Sequence, residues 1–236
     1  MPAPASSSQS AVITAATRTV RVWDLPTRLF HWALAAAVIG LVATAKMGAM
    51  DWHFRLGYTV MALLVFRLAW GFVGGRWSRF SSFLYAPGSM LAYLRGRSHP
   101  DHLVGHNPLG AVSVFALLAA LLLQVATGLV SDDAITFTGP LAAMVPGSWS
   151  DAATSWHKGA GQWLLIALTA LHVLAVLFYA GVKRVRMVRP MLSGDRALAP
   201  GHAPAPSRDD GRSRLLALVL FALSAGLSAW VSTLQP

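Results

Sequence analysis

The stretch WHKGAGQWLLIALTALHVLAVLFY, residues 156–179, decides how the rest of the chain is read. It is almost wholly apolar and long enough to cross a bilayer, yet it carries one histidine near each end. His157 and His172 are 15 residues apart. On one continuous α-helix that interval is roughly 22 Å along the axis and about 60° around it. Ionisable side chains inside a span are costly and usually face the bundle interior. Two of them, at two depths and on roughly one face, predict a pair of stacked buried sites.

The composition agrees with a membrane setting. The chain has 236 residues, of which 55% are hydrophobic and only 12% charged, and its mean hydropathy is +0.54. These values are far too apolar for a soluble domain, and they predict an all-α integral membrane protein surrounded by lipid. There is no cysteine. That excludes disulfides, thiolate-held iron–sulfur clusters and covalently attached c-type haem, and it leaves the eight histidines as the obvious source of ligands. The formal charge of +10 is spread around the apolar runs instead of lining one groove, so no nucleic-acid partner is expected.

Four further apolar runs flank the opening stretch. Residues 1–22 read as a disordered tail. The segment VRVWDLPTRLFHW follows, with Asp24 and Pro26 as helix-start residues, and a first span is expected over 29–45. A short turn leads to a second span over 53–74, HFRLGYTVMALLVFRLAWGFVG, which should lie antiparallel to the first. Residues 75–107 form a connection with a surface helix expected at 87–94. Asn107 and Pro108 then open a third span over 108–130. The stretch 131–156 carries Asp132, Asp133 and Asp151 without a lysine or arginine, and is a candidate docking surface for a partner. A fourth span over 159–182 ends in the basic run KRVRMVR. A Pro-, Gly- and Ala-rich flexible linker over 191–213 precedes a fifth span over 215–233, which has no histidine or charge and reads as an anchor packed on the bundle. The expected organisation is therefore a four-transmembrane-helix bundle at 23–190 and a separate C-terminal transmembrane helix at 214–236.

Charge asymmetry sets the orientation. Fifteen of the nineteen Lys and Arg residues fall in the N-terminal segment and in the second-to-third and fourth-to-fifth connections. By the positive-inside rule these face the cytoplasm, which in a bacterial inner membrane puts the N-terminus inside and the C-terminus in the periplasm.

Depth then sorts the histidines. His31 lies near the cytoplasmic start of the first span, and His172 is displaced toward the same side. His53 and His157 begin the second and fourth spans on the periplasmic side. The result is two same-level pairs, His31 with His172 and His53 with His157. Two neutral imidazoles from facing helices are what a six-coordinate haem iron requires. Gly57 and Gly161 each lie four residues after a histidine, His53 and His157, and would leave a gap beside a flat macrocycle. Close helix packing is the other use of such glycines. Arg67 should point into the bundle near the cytoplasmic pair, where it pairs with a haem propionate or snorkels to the surface. Arg55 and Lys158 either serve the periplasmic propionates or attract anions. His99, His102 and His202 read as solvated loop residues. His106, just before the Asn-Pro helix start, reads as interfacial, with replacement of His31 as ligand the alternative.

The segments RVWDLPTRLFHW, HFRLGY, GHNPLGA, and WHK with ALHVLAVLFY resemble those of the bacterial cytochrome b561-like family, which is similar to the membrane-anchor cytochrome b subunits of nickel–iron hydrogenases and formate dehydrogenases. The resemblance covers residues 20–189. It implies a four-helix bundle holding two non-covalent, bis-histidine, low-spin haem b groups, with iron ligands His31, His53, His157 and His172. It also implies electron relay in a respiratory chain between the quinone pool and a c-type cytochrome, hydrogenase or dehydrogenase that is periplasmic or membrane-bound. A superoxide:quinone oxidoreductase is the runner-up, and a non-redox membrane anchor or a metal transporter is the reading from another class. The chain departs from the family in its fifth span and in a His157–His172 interval one residue longer than usual, which a bulge in KGAG would absorb.

Overall fold

The structure, a computed structural model, describes residues 18–97, 99–198 and 203–234. In chain order it comprises strand β1 (Arg18–Arg21), helices α1 (Leu25–Met47), α2 (Met50–Val73), α3 (Pro87–Leu94), α4 (Pro108–Val130), α5 (Gly147–Lys158), α6 (Ala160–Gly181) and α7 (Val188–Ser193), strand β2 (Asp195–Leu198) and helix α8 (Gly211–Ser232). Five helical stretches are long and apolar enough to cross a membrane: α1, α2, α4, the α5–α6 unit and α8. The chain is a multi-pass membrane protein.

The helix starts follow from their caps. Asp24 caps α1 by accepting from the Thr27 backbone N–H at 2.9 Å, with Pro26 in the first turn. Asn107 does the same for α4 through Gly110 N–H at 2.7 Å, with Pro108 behind it. Asp24 does more than cap. It is wholly buried, and its carboxylate also accepts from Trp70 Nε1 at 3.2 Å, Gly75 N at 3.1 Å and Ser78 Oγ at 2.6 Å. One side chain thus ties the start of α1 to the end of α2, and its burial is balanced by a full set of donors.

The helices pack as two halves. α1 and α8 lie on α2, while α5 and α6 lie on α4, and contacts between α2 and α4 join the halves. Phe30, Val60, Leu64, Phe66, Trp70, Leu118, Leu121 and Leu165 form the apolar core at that junction. Helix α6 is the least covered. Trp163, Leu171, Leu174 and Leu177 are all exposed on it, as a lipid-facing surface should be.

Strands β1 and β2 form a two-stranded antiparallel sheet with Arg18 opposite Leu198 and Arg21 opposite Asp195. Because the strands are paired they lie on one side of the membrane, so an even number of crossings must separate them. The four units α1, α2, α4 and α5–α6 satisfy that requirement without any appeal to charge. The sheet marks one end of the molecule, called here the sheet end.

Three expectations change. The stretch containing His157 and His172 is not one helix: α5 ends at Lys158, and Gly159 (φ −103°, ψ −112°) breaks the chain before α6 begins. The two histidines therefore sit on different helices, and the spacing worked out for a continuous helix does not apply. The linker expected over 191–213 contains β2 and the end of α7. Arg21, from the supposed tail, bonds Asp195 and Asp209 across it at 2.9 and 3.1 Å. The tail boundary moves as well, because residues 18–21 are a strand; residues 1–17, and with them most of the expected tail, lie outside the described residues, as does His202.

The fifth span docks closely on α2. Ala217, Ser224, Ser228 and Val231 turn inward, and Ser228 Oγ donates to the Tyr58 carbonyl at 2.7 Å. Small residues at these positions let the two backbones approach.

Candidate cofactor sites

At the end opposite the sheet, His53 on α2 faces His157 on α5 with ring centroids 6.2 Å apart and the ring planes nearly perpendicular. Both rings are oriented by backbone carbonyls. His53 Nδ1 lies 3.1 Å from Leu41 O and His157 Nδ1 2.9 Å from Gln124 O, so each Nδ1 carries the proton and donates it. That leaves each Nε2 with a free lone pair. The second contact of Gln124, from its amide nitrogen to His157 O at 2.8 Å, fixes the same turn of α5.

At the sheet end, His31 on α1 faces His172 on α6 with centroids 6.4 Å apart. These are the two pairs that depth alone groups together. Each pair reaches from one half of the bundle to the other, and all four histidines are half-buried. No backbone acceptor holds His31: its Nδ1 is buried without a hydrogen-bond partner.

Of the two glycines, only one fits the expected gap. Nothing lies within 4 Å of a side chain added at Gly57, whereas one at Gly161 would meet Gln124 Oε1 at 2.4 Å and Trp156 Nε1 at 2.5 Å. The space beside Gly161 is thus filled by side chains, and close packing accounts for it. A glycine absent from the sequence reading matters more. Gly128 on α4 lies against the His157 ring, with an added carbon only 2.8 Å from Cε1.

The cations also separate. Arg67 is 3% exposed, its guanidinium lies 4.6 Å from the Phe80 ring, and its Nη1 is buried without a partner. It does not snorkel. Arg55 is exposed over the Trp52 ring, and Lys158 pairs with Asp133 at 3.6 Å, so neither is committed to the rings of the far-end pair.

His106 departs most from its expected interfacial role. Its ring is enclosed between Trp23 and Phe83, at centroid distances of 4.6 and 4.5 Å. Burial above all, then the charges of Arg67, His31 and His172, lower its pKa to about 3, so it stays neutral at ordinary pH. His106 thus belongs to the surroundings of the sheet-end pair. His99 and His102, by contrast, sit in the 3₁₀ turn outside the bundle, where His99 is largely exposed.

Sequence reasoning missed Gln124, Gly128 and the burial of His106. Gln124 had a readable signal, being the one amide side chain in the apolar α4. The other two depend on which helices become neighbours.

The chain is 25% identical to a probable Ni/Fe-hydrogenase B-type cytochrome subunit of Bradyrhizobium diazoefficiens, over 75% of this chain and 86% of that protein. It is 27% identical to the protein of the same name in Cupriavidus necator, over 74% and 86%. With the probable Ni/Fe-hydrogenase 1 B-type cytochrome subunit of Escherichia coli K12 it shares 23% identity, over 75% and 90%. No solved structure gives a significant match. The pattern of the family described as prokaryotic cytochrome b561 matches residues 22–194, a range that takes in α1 to α6 and both histidine pairs, and the chain belongs to that family.

Proposed function

We propose that the protein is a di-haem b-type cytochrome that relays electrons between the quinone pool and a partner redox protein. The observation that carries this reading is the spacing of the two histidine pairs, 6.4 and 6.2 Å between ring centroids. A metal centred between two imidazoles at about 2 Å from each nitrogen, with each ring centre about 1 Å further out, requires about 6 Å. Both pairs meet that length, and both reach across the seam between the halves.

His31 and His172 would hold one haem, and His53 and His157 the other. When bound, the haem iron supplies reversible one-electron chemistry. The residues position it. The Nδ1–H donations to Leu41 O and Gln124 O hold the far-end rings, leave each Nε2 free to hold a metal and would make those nitrogens more basic. Gly57 leaves the face of α2 open. Two histidines per iron would leave no coordination position open, which favours electron transfer over substrate binding at the metal.

The sheet end faces the cytoplasm of a bacterial inner membrane on this reading, because the basic connections lie there. The relatives are named as hydrogenase cytochrome subunits, which makes a hydrogenase, or a redox enzyme of that kind, the favoured partner. The acidic stretch around Asp132 and Asp133 and the face of α5 supply a docking surface at the far end. Among the described residues no three histidine or acidic side chains gather as a metal site, which counts against a transporter.

The test is the haem content and the reduced-minus-oxidised spectrum of the purified protein. Two low-spin b haems per chain, reducible by a quinol analogue, are expected. A protein without haem after expression with ample haem supply would sink the proposal.

A further inference from the structure

Among the described residues, the buried nitrogens near the sheet-end pair that lack a protein partner include Nη1 of Arg67 and Nδ1 of His106. Both are buried. They also share one aromatic wall. The guanidinium of Arg67 lies over Phe80, Phe80 meets Phe83 at a centroid distance of 5.9 Å, and Phe83 packs on the His106 ring. His106 is close enough to Arg67, His31 and His172 to be influenced by all three charges. Among the described residues no carboxylate is paired with Arg67. Asp24 attracts it at longer range, with its own oxygens already taken by Thr27, Trp70, Gly75 and Ser78.

Leaving a buried donor unpaired is expensive, and the cost is higher for a charged group. Two such donors along one run of aromatic rings call for an anionic acceptor that arrives with the cofactor. We propose that His106 and Arg67 together form the seat for the carboxylates of the sheet-end haem, with His106 a positioning residue and not an axial ligand. This rests on the di-haem reading and adds to it a residue that the iron does not touch. The pairing is apt chemically. Arg67 brings a fixed positive charge. A neutral imidazole protonated on Nδ1 brings a single directed donor, and the rings of Trp23 and Phe83 hold it in place.

The geometry also explains why this histidine is placed immediately before the cap of α4. Asn107 is held by its bond to Gly110 N, and the His106 carbonyl accepts from Tyr85 Oη at 2.7 Å. The backbone at and just after His106 is therefore held, and the ring is kept in place by its packing on Trp23 and Phe83.

The experiment compares haem b with its dimethyl ester, which keeps the iron and the macrocycle but lacks the carboxylates. Apo-protein of the full chain is reconstituted with each, and the sheet-end site is read by its ferric low-spin EPR signal and by the rate of haem loss to apomyoglobin. In the native protein the sheet-end site should prefer haem over the diester by about tenfold or more. His106→Leu and Arg67→Leu should each reduce that preference while the low-spin signal persists, and His106→Gln, which retains a donor, should restore part of it. Should His106→Leu destabilise the fold, the Gln variant and the native diester comparison still decide the matter. An unchanged preference in both Leu variants overturns the proposal. Loss of the low-spin signal in His106→Gln, to the extent seen in His31→Ala, also overturns it, by making His106 a ligand. Failure of the native chain to bind either haem is a distinct result, which strikes the di-haem reading itself.

Discussion

Replacing Gly128 by alanine is the sharpest probe of the far-end site. The added methyl would stand 2.8 Å from Cε1 of His157, 3.2 Å from Nδ1 and 3.6 Å from Nε2. Carbon atoms rest at about 3.5–4.0 Å, so the ring must retreat by about 0.7–1.2 Å. Helix α4 cannot simply yield, because it supplies both the intruding methyl and, at Gln124 O, the acceptor that holds the ring. Overpacking of this kind costs about 1–3 kcal/mol. If that falls wholly on cofactor affinity, it is a loss of roughly five- to 150-fold. Haem b is counted by pyridine haemochromogen and each site is followed by ferric EPR. The expected result is about one haem per chain, with the signal of the His53–His157 pair lost or shifted and the other intact. Alanine is otherwise the better helix former by about 0.8–1 kcal/mol. A Gly128→Ala protein with two unaltered low-spin signals and a higher Tm would therefore refute the reasoning.

Other expectations follow from single contacts. Gly57→Ala should fit the bare fold, where nothing lies within 4 Å, yet lower haem content at the far-end site; unchanged haem would show that no macrocycle lies beside it. His172→Ala should remove one haem, whereas His99→Ala should leave the spectrum as it is. Asp24→Ala would strip four donors of their acceptor and should cost about 3–5 kcal/mol in thermal unfolding in detergent. The Asp133 carboxylate accepts from Phe137, Thr136 and Ile135 N–H groups, which hold its pKa down to about 2 from 3.8. A depressed carboxylate stabilises above its unfolded pKa and loses that contribution as pH falls through the folded value. The protection factors of the amides of residues 135–137 should therefore hold at pH 5 and fall between about pH 4 and pH 2, a change absent in Asp133→Asn.

What the sequence revealed, and what it hid, has physical causes. Span limits were legible where a cap is written locally, as at Asp24 with Pro26 and at Asn107 with Pro108, and α3 and α4 fall on residues 87–94 and 108–130 as expected. The histidine pairs were legible because depth in a membrane is nearly a linear function of position along a span. The break at Gly159 falls in KGAG, where the long His157–His172 interval already placed a bulge; that it is a full break, with α5 and α6 as separate helices, is decided by their packing on α4. The β1–β2 pairing was hidden for a similar reason. RTVR and DRAL are short, charged and far apart, with no hairpin signal between them. His106 looked interfacial beside a helix cap, and its burial comes from Trp23, which belongs to the far side of α1 and α2 in sequence.

The small sheet has a consequence for how the molecule is made. Its first strand leaves the ribosome before α1, and its partner follows only after α6, so the two cannot meet until the four intervening crossings stand in place. Their joining is therefore a signal of completed insertion. Arg21 then takes hold of Asp195 and of Asp209, just ahead of α8. Asp209 thus gains this partner, at the foot of α8, only once α1 to α6 have been threaded.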